Sequence, residues 1–281
     1  MPERLDVRKT YKLLVNGAFP RSESGRSYEV LDAQGAFWAN VALASRKDLR
    51  DAVAAARAAQ PKWWAMTAYN RGQVLYRWAE MAEGRAGELA EHVARAEGVK
   101  PTIAREVVTA AIDRLVWYAG WADKLAQVLG GANPVAGPYF NFSLPTPSGV
   151  VGVLAPADSS LWGFVDAVGA ALVAGNTVVC VASEARPTPA LLMGEMTATS
   201  DLPAGVLNLL AGRVDELAPV LCAHEGVDGV DLTGAGERAG ELAELASASI
   251  KRVYRPRERS EGLARVRAFV ETATVWHTIG Q

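Results

Sequence analysis

Gly149-Val150-Val151-Gly152-Val153-Leu154 and Thr177-Val178-Val179-Cys180-Val181 decide the fold of this chain. Each is a short, nearly unbroken apolar run rich in valine, the pattern of a strand buried on both faces. Between them Trp162–Val173 has the length and composition of a crossover helix. The alternation continues downstream, with strands expected near 206–209, 229–232 and 251–254 and helices near 189–199, 215–224 and 237–248. Buried strands joined by crossover helices predict an α/β fold with a Rossmann-like parallel sheet flanked by helices.

Upstream, the helical period takes over. Leu49, Val53 and Ala56 fall on one face of a helix starting near Arg46, with Ser45 as its N-cap. Further helices are expected over 71–97, broken near Gly84, and over 101–129, which opens on Pro101. Together they form an N-terminal helical layer whose gaps Trp63, Trp64, Trp78, Trp117 and Trp121 fill. Asn16-Gly17 supplies the positive φ angles of a two-residue hairpin turn within 13–19. Tyr139-Phe140-Asn141-Phe142-Ser143-Leu144 alternates like an edge strand, and Pro145 and Pro147 restrict its pairing.

Half of the 281 residues are hydrophobic and the formal net charge is −2. That balance gives no electrostatic footprint for nucleic acid or an anionic membrane. No window approaches the roughly 20 apolar residues of a membrane span. The charged start, Met1 to Lys12, lacks a signal-peptide core, so a reducing cytoplasm is the expected compartment. Cys180 and Cys222 form neither a disulfide framework nor a metal cluster and read as buried packing. His92, His224 and His277 have no companion motif.

Several of these stretches carry a family resemblance. Tyr139-Phe140-Asn141-Phe142 through Gly149-Val150-Val151-Gly152-Val153, Ala174-Gly175-Asn176-Thr177-Val178-Val179 and Leu202-Pro203-Ala204-Gly205-Val206-Leu207-Asn208 resemble the aldehyde dehydrogenase superfamily. Ala268-Phe269-Val270-Glu271-Thr272-Ala273-Thr274-Val275-Trp276 resembles its last strand. In that family a catalytic domain with a cysteine nucleophile lies between these two regions, and here the interval from Val253 to Gly262 stands in its place. The resemblance therefore implies a short form, a pseudoenzyme. Its cofactor-binding domain spans 1–254 with an association hairpin near 138–151, a linker follows at 255–267, and a C-terminal association strand closes the chain at 268–281.

The family's chemistry needs a thiolate nucleophile, an oxyanion donor and a carboxylate base. Neither cysteine falls in a matching context. Where the oxyanion asparagine stands in the family, the chain has Pro156-Ala157-Asp158, and an ionised Asp158 repels an oxyanion. Where the glutamate base stands, it has Pro256-Arg257-Glu258-Arg259-Ser260. The resemblance implies no catalytic residue and no metal.

For the cofactor it implies a vestigial site made of Pro156, Ser183, Glu184 and Gly234, in which Glu184 would accept ribose hydroxyls. The usual lysine and serine are absent, so NAD or NADP would bind with weakened affinity. The helix start after Gly234 would still favour an anion. In Gly234-Ala235-Gly236-Glu237-Arg238-Ala239 a dinucleotide fingerprint follows the fourth strand, the wrong place for that motif.

The association surface is expected to comprise Tyr139, Phe140, Phe142, Leu144, Phe269, Val275 and Trp276. A small antiparallel sheet made from them would dock on a full-length aldehyde dehydrogenase subunit, giving a hetero-oligomer in which this chain stabilises or regulates the enzyme. Two alternatives stand beside this: an NAD(P)-binding module without chemistry, and an oxidoreductase of altered mechanism led by Asp158 or Glu258.

Overall fold

A computed structural model describes residues 9–256 and 262–279. The chain opens with a three-stranded sheet of β1 (Thr10–Tyr11), β2 (Ser27–Leu31) and β3 (Phe37–Ala42). Five helices follow: α1 (Arg46–Ala65), α2 (Ala68–Gly84), α3 (Ala86–Glu97), α4 (Pro101–Trp121) and α5 (Leu125–Leu129). Next come β4 (Gly131–Asn133) and β5 (Tyr139–Pro147). The alternating half contains β6 (Val150–Leu154), α6 (Trp162–Val173), β7 (Thr177–Val181), α7 (Thr188–Met196), β8 (Leu207–Leu210), α8 (Val214–Ala223), β9 (Gly229–Asp231), α9 (Ala239–Ser247) and β10 (Arg252–Tyr254). Residues 262–279 contribute α10 (Ala264–Ala268) and β11 (Val270–Thr278).

The central sheet is parallel throughout, in the order β10-β9-β6-β7-β8. Strands β6 and β7 are buried along their whole length, as two-sided burial requires. The chain builds outward from β6 through β7 to β8, then crosses back to add β9 and β10 on the other side. The crevice between the carboxyl ends of β6 and β9 is therefore the topological switch point, where open α/β sheets bind ligands.

Local chemistry sets several boundaries. Ser45 and Asp48 form a reciprocal capping box at the start of α1. Pro101 occupies the first turn of α4. Asn16 and Gly17 have φ of 51° and 72°, the expected two-residue turn, and the hairpin lies against β8 through a Leu14–Leu209 bridge. Helix α6 is almost entirely buried between the sheet and α4, and Gly169 admits the ring of Tyr118, which a Cβ would meet at 2.5 Å. Trp63 and Trp78 are fully buried, as read from the sequence, whereas Trp64 is exposed with Arg71 stacked on it.

Three expectations change. Strand β5 is not an edge: it is central in the antiparallel sheet β11-β5-β4. Its prolines are tolerated because β4 ends at the Gly131–Ser143 pair, so Pro145 and Pro147 have a strand partner on one side only, β11. The 101–129 helix stops at Trp121 and restarts at Leu125. The helix expected from 237 begins at Ala239, because a tight 3-10 turn over Thr233–Arg238, kinked at Gly236 with φ of 55°, takes its place.

Candidate functional site

A cleft of about 1300 Å³ opens at the carboxyl ends of β6, β9 and β10. Pro156, Asp158, Trp162, Thr233, Arg255 and Arg265 are among its lining residues. Pro256, standing where the resemblance expects a glutamate base, also lines it and offers no proton acceptor. Glu258 lies outside the described residues.

The floor of the cleft is a buried charge network. Asp166, on α6, accepts Arg265 Nη1 at 2.5 Å, Arg114 Nε at 2.6 Å and the Tyr118 hydroxyl at 2.7 Å. Asp231, at the end of β9, is fully buried and accepts both the amide and the hydroxyl of Thr233, at 3.0 and 2.6 Å. Its second oxygen faces Arg265 Nε at 3.3 Å, an ion pair without hydrogen-bond alignment. Arg265 Nη2 donates to Thr233 Oγ1, and the guanidinium lies over Tyr254. Burial raises the Asp231 carboxyl above its ordinary range, with Arg265 and Thr233 opposing the shift. For Arg265, burial disfavours the charge, but the two carboxylates outweigh it and hold the proton more tightly than usual.

Sequence reasoning missed this network. Its signal was Asp166, the one charge in the otherwise apolar α6, since a buried carboxylate must find partners. The segment read as a linker supplies Arg265 from α10.

The four residues assigned to a cofactor divide into two places. Pro156 lines the cleft, and Gly234 packs so closely on the end of β6 that an added Cβ would lie 2.3 Å from the Ala155 carbonyl oxygen. Ser183 and Glu184 lie outside the cleft, after β7. Ser183 Oγ accepts the Arg186 amide at 3.2 Å. The Glu184 carboxylate accepts Arg213 Nη1 at 2.5 Å and the first amide of α8, Val214, at 2.9 Å. It works as a cap on α8.

No nucleophile–base pair converges on the cleft among the described residues. Cys180 and Cys222 are buried free thiols; burial pushes the first well up and the second up to about 11. His92 is buried against Tyr11 and Trp38, and His277 is exposed on β11. No group of three or more metal-ligating side chains occurs among the described residues.

The second candidate surface is the β11-β5-β4 sheet. The register pairs Val275 with Phe142, Ala273 with Leu144 and His277 with Phe140, which puts Phe140, Phe142, Leu144 and Val275 on one face. Tyr139 and Trp276 share the opposite face in an edge-on contact, with centroids 5.9 Å apart. Phe269 does not join them: it is fully buried under Gly229 and Tyr254 and anchors the strand to the body. Its carbonyl accepts Asn176 Nδ2 at 3.0 Å. All nine residues of β11 pair with β5, and the other edge of β11 has no strand partner among the described residues.

The sequence profile of the aldehyde dehydrogenase family matches residues 19–255. The chain belongs to that family. It is 36% identical over 242 residues to the mitochondrial benzaldehyde dehydrogenase of Antirrhinum majus, covering 85% of this chain and 45% of that protein. To retinal dehydrogenase 2 of Homo sapiens it is 34% identical over 256 residues, 89% of this chain and 48% of the relative. Among solved aldehyde dehydrogenases, the NAD-dependent one from Sinorhizobium meliloti superposes with a TM-score of 0.82 at 27% identity, covering 88% of this chain and 50% of that one. The NAD+ complex from Bacillus cereus gives 0.81 at 27% identity, with 87% and 50% covered. The chain thus spans about half the length of the relatives it matches.

Proposed function

We propose that this chain is a non-catalytic aldehyde dehydrogenase-like subunit that assembles with a full-length NAD(P)-dependent aldehyde dehydrogenase and stabilises or regulates it. The observation that carries this reading is the edge of β11, without a strand partner among the described residues, beside the apolar face of Phe140, Leu144 and Val275. A long edge strand with few charges is a template for strand addition. Its only acidic residue, Glu271, is already engaged by Arg252. The chemistry argues the same way, because Asp158 and Pro256 stand where the oxyanion donor and base would be and both cysteines are buried. A reciprocal homodimer of the family type would need the catalytic-domain surface that the resemblance places between β10 and α10, where this sequence has a short interval.

Any cofactor would be NAD or NADP, the dinucleotides of the solved relatives, held at weakened affinity through Pro156, Ser183, Glu184 and Gly234. Of these, Glu184 is already bonded to Arg213 and Val214. The test is to mix the purified chain with full-length aldehyde dehydrogenases of its own organism and weigh the species by mass photometry, assaying aldehyde oxidation alongside. A mixed oligomer with altered activity or heat stability is expected. A short chain that stays separate from every full-length enzyme, or one that alone turns over aldehyde, sinks the reading.

A further inference from the structure

We infer that β11 pairs with β11 of a second copy of this chain, giving a two-fold symmetric dimer with one continuous sheet, β4-β5-β11-β11-β5-β4. The direction of the backbone hydrogen bonds decides which groups of β11 are free. The Ser148 amide donates to the Phe269 carbonyl at 3.2 Å, and the Ile279 amide donates to the Pro138 carbonyl at 3.0 Å. Both bonds lie on the register of β11 with β5, which runs between them without a shift. Successive residues of a strand point their backbone groups to opposite sides. The amides of Val270, Thr272, Thr274, Trp276 and Thr278 therefore face the other edge, which has no strand partner among the described residues. Pro145 and Pro147 obey the same alternation: they stand opposite Thr272 and Val270, where β5 owes β11 no N–H.

The strand carries none of the devices that keep an edge from pairing with its own kind. It is nine residues long, with no lysine, no proline and no bulge. Its sequence is also self-complementary. Antiparallel pairing over the full strand puts the two-fold axis at Thr274, with Thr272 opposite Trp276 and Val270 opposite Thr278 of the second copy. In that register all five outward amides of each copy meet a carbonyl of the other. The intervening positions put Glu271 opposite His277, and Ala273 opposite Val275, each twice. Glu271 is already held by Arg252 at 2.6 Å, and His277 Nδ1 lies 2.8 Å from the Thr278 carbonyl. Turning that exposed ring to the carboxylate releases the carbonyl to the Val270 amide of the second copy. On the same face each Val275 lies between its own Phe142 and the other copy's Ala273, with Leu144 next in the row, so the two apolar faces merge. A strand about 30 Å long covers on the order of 1000 Å² in total, the size of a transient complex. The dimer is therefore one of micromolar affinity, and any other strand that docks on this edge competes with it.

This contact needs no catalytic-domain surface and no second protein, so it is read on the chain alone, apart from docking on a full-length enzyme. Sedimentation velocity of the full chain from about 5 to about 300 μM is expected to show a monomer passing into a dimer. Hydrogen exchange of the wild type at the two ends of that range is expected to slow at high concentration within 270–278 and to stay constant in α2. Thr274→Pro removes the amide at the axis while leaving the bonds to β5 in place, and is expected to remain monomeric throughout the range. His277→Lys is expected to tighten the dimer about three-fold or more, and His277→Glu to loosen it by as much, because each change acts twice across the axis. The exchange measurement needs no variant and decides the matter even if Thr274→Pro fails to fold. A wild-type chain that stays monomeric at the top of the range, or exchange in 270–278 that ignores concentration, overturns the inference. So does a folded Thr274→Pro that dimerises like wild type, or His277 variants that shift the equilibrium in the same direction.

Discussion

Replacing Val275 with aspartate separates docking from folding. Val275 lies near the middle of β11, paired with Phe142, on the face that also carries Phe140 and Leu144. These three side chains are 39%, 50% and 40% exposed, respectively for Val275, Phe140 and Leu144. With full apolar side chains of roughly 150–200 Å², they present about 200 Å² for a partner to cover. At ~25 cal/mol per Å² that is about 5 kcal/mol, before any backbone hydrogen bonds along the strand edge. Val275→Asp removes about 1.5 kcal/mol of this and drives a carboxylate into the interface, costing ~2 kcal/mol or more. Affinity for the full-length enzyme should fall by at least about a hundred-fold. Fold stability should change by no more than about 1 kcal/mol, because the position is already solvated, and the melting temperature by about 2–4 °C. Sedimentation velocity on mixtures and thermal melting of the free chain read the two effects independently. A variant that assembles as tightly as wild type refutes the assignment of this face, whatever its melting point.

Phe269→Ala, which empties a fully buried site beneath Gly229, should cost about 3–5 kcal/mol in urea unfolding, and a loss under 1 kcal/mol would show that the strand is not anchored there. Both thiols should react with a disulfide reagent at neutral pH only as fast as the fold opens, since burial holds Cys222 up at about 11 and Cys180 higher; labelling within seconds would contradict their burial. Burial depresses His92, so its native state prefers the neutral ring; the stability this gives is present above the unfolded histidine value near ~6.5 and is lost as pH falls through the lower folded value. His224 is shifted in the same direction, so the test is comparative: His92→Gln should shrink the fall in melting temperature between pH 7 and 5, and an unchanged slope would remove His92 as a contributor.

The sequence made the central sheet legible because its signal is local. The valine runs of β6 and β7, the Asn16-Gly17 turn, the break at Gly84 and the start at Pro101 each depend on neighbouring residues alone. The features it concealed depend on distant pairing. Strand β5 looked like an edge because its prolines are visible in sequence, whereas its pairing to β11, from Tyr139–Thr278 to Pro147–Val270, is not. The start of α9 was misplaced because a glycine kink at Gly236 reads like helix-compatible sequence. The resemblance gave Glu184 as a ribose acceptor after β7, but its capture by Arg213 and the α8 amide depends on how the next loop returns. The Asp166–Arg265 pair joins residues 99 positions apart, with only the isolated carboxylate of α6 to hint at it.

The stretch from α10 to the start of β11 is a working part of the body. Without Arg265, Asp231 would be fully buried and left with its two Thr233 hydrogen bonds, which do not neutralise its charge, and Asp166 would keep Arg114 and Tyr118. Breaking a buried pair from one side costs about 3–5 kcal/mol, because the remaining charge is stranded. Arg265, Val266 and Phe269, all buried within five residues, therefore fix α10 against the sheet, and Asn176 clamps the Phe269 carbonyl where β11 begins. The bidentate pair of Arg252 with Glu271 adds a second tie between β10 and β11. A strand held in this way loses little conformational freedom when it meets another sheet, so more of its contact energy survives as affinity. The same contacts that build the floor of the cleft hold β11 in place, so its free edge is presented by a rigid body.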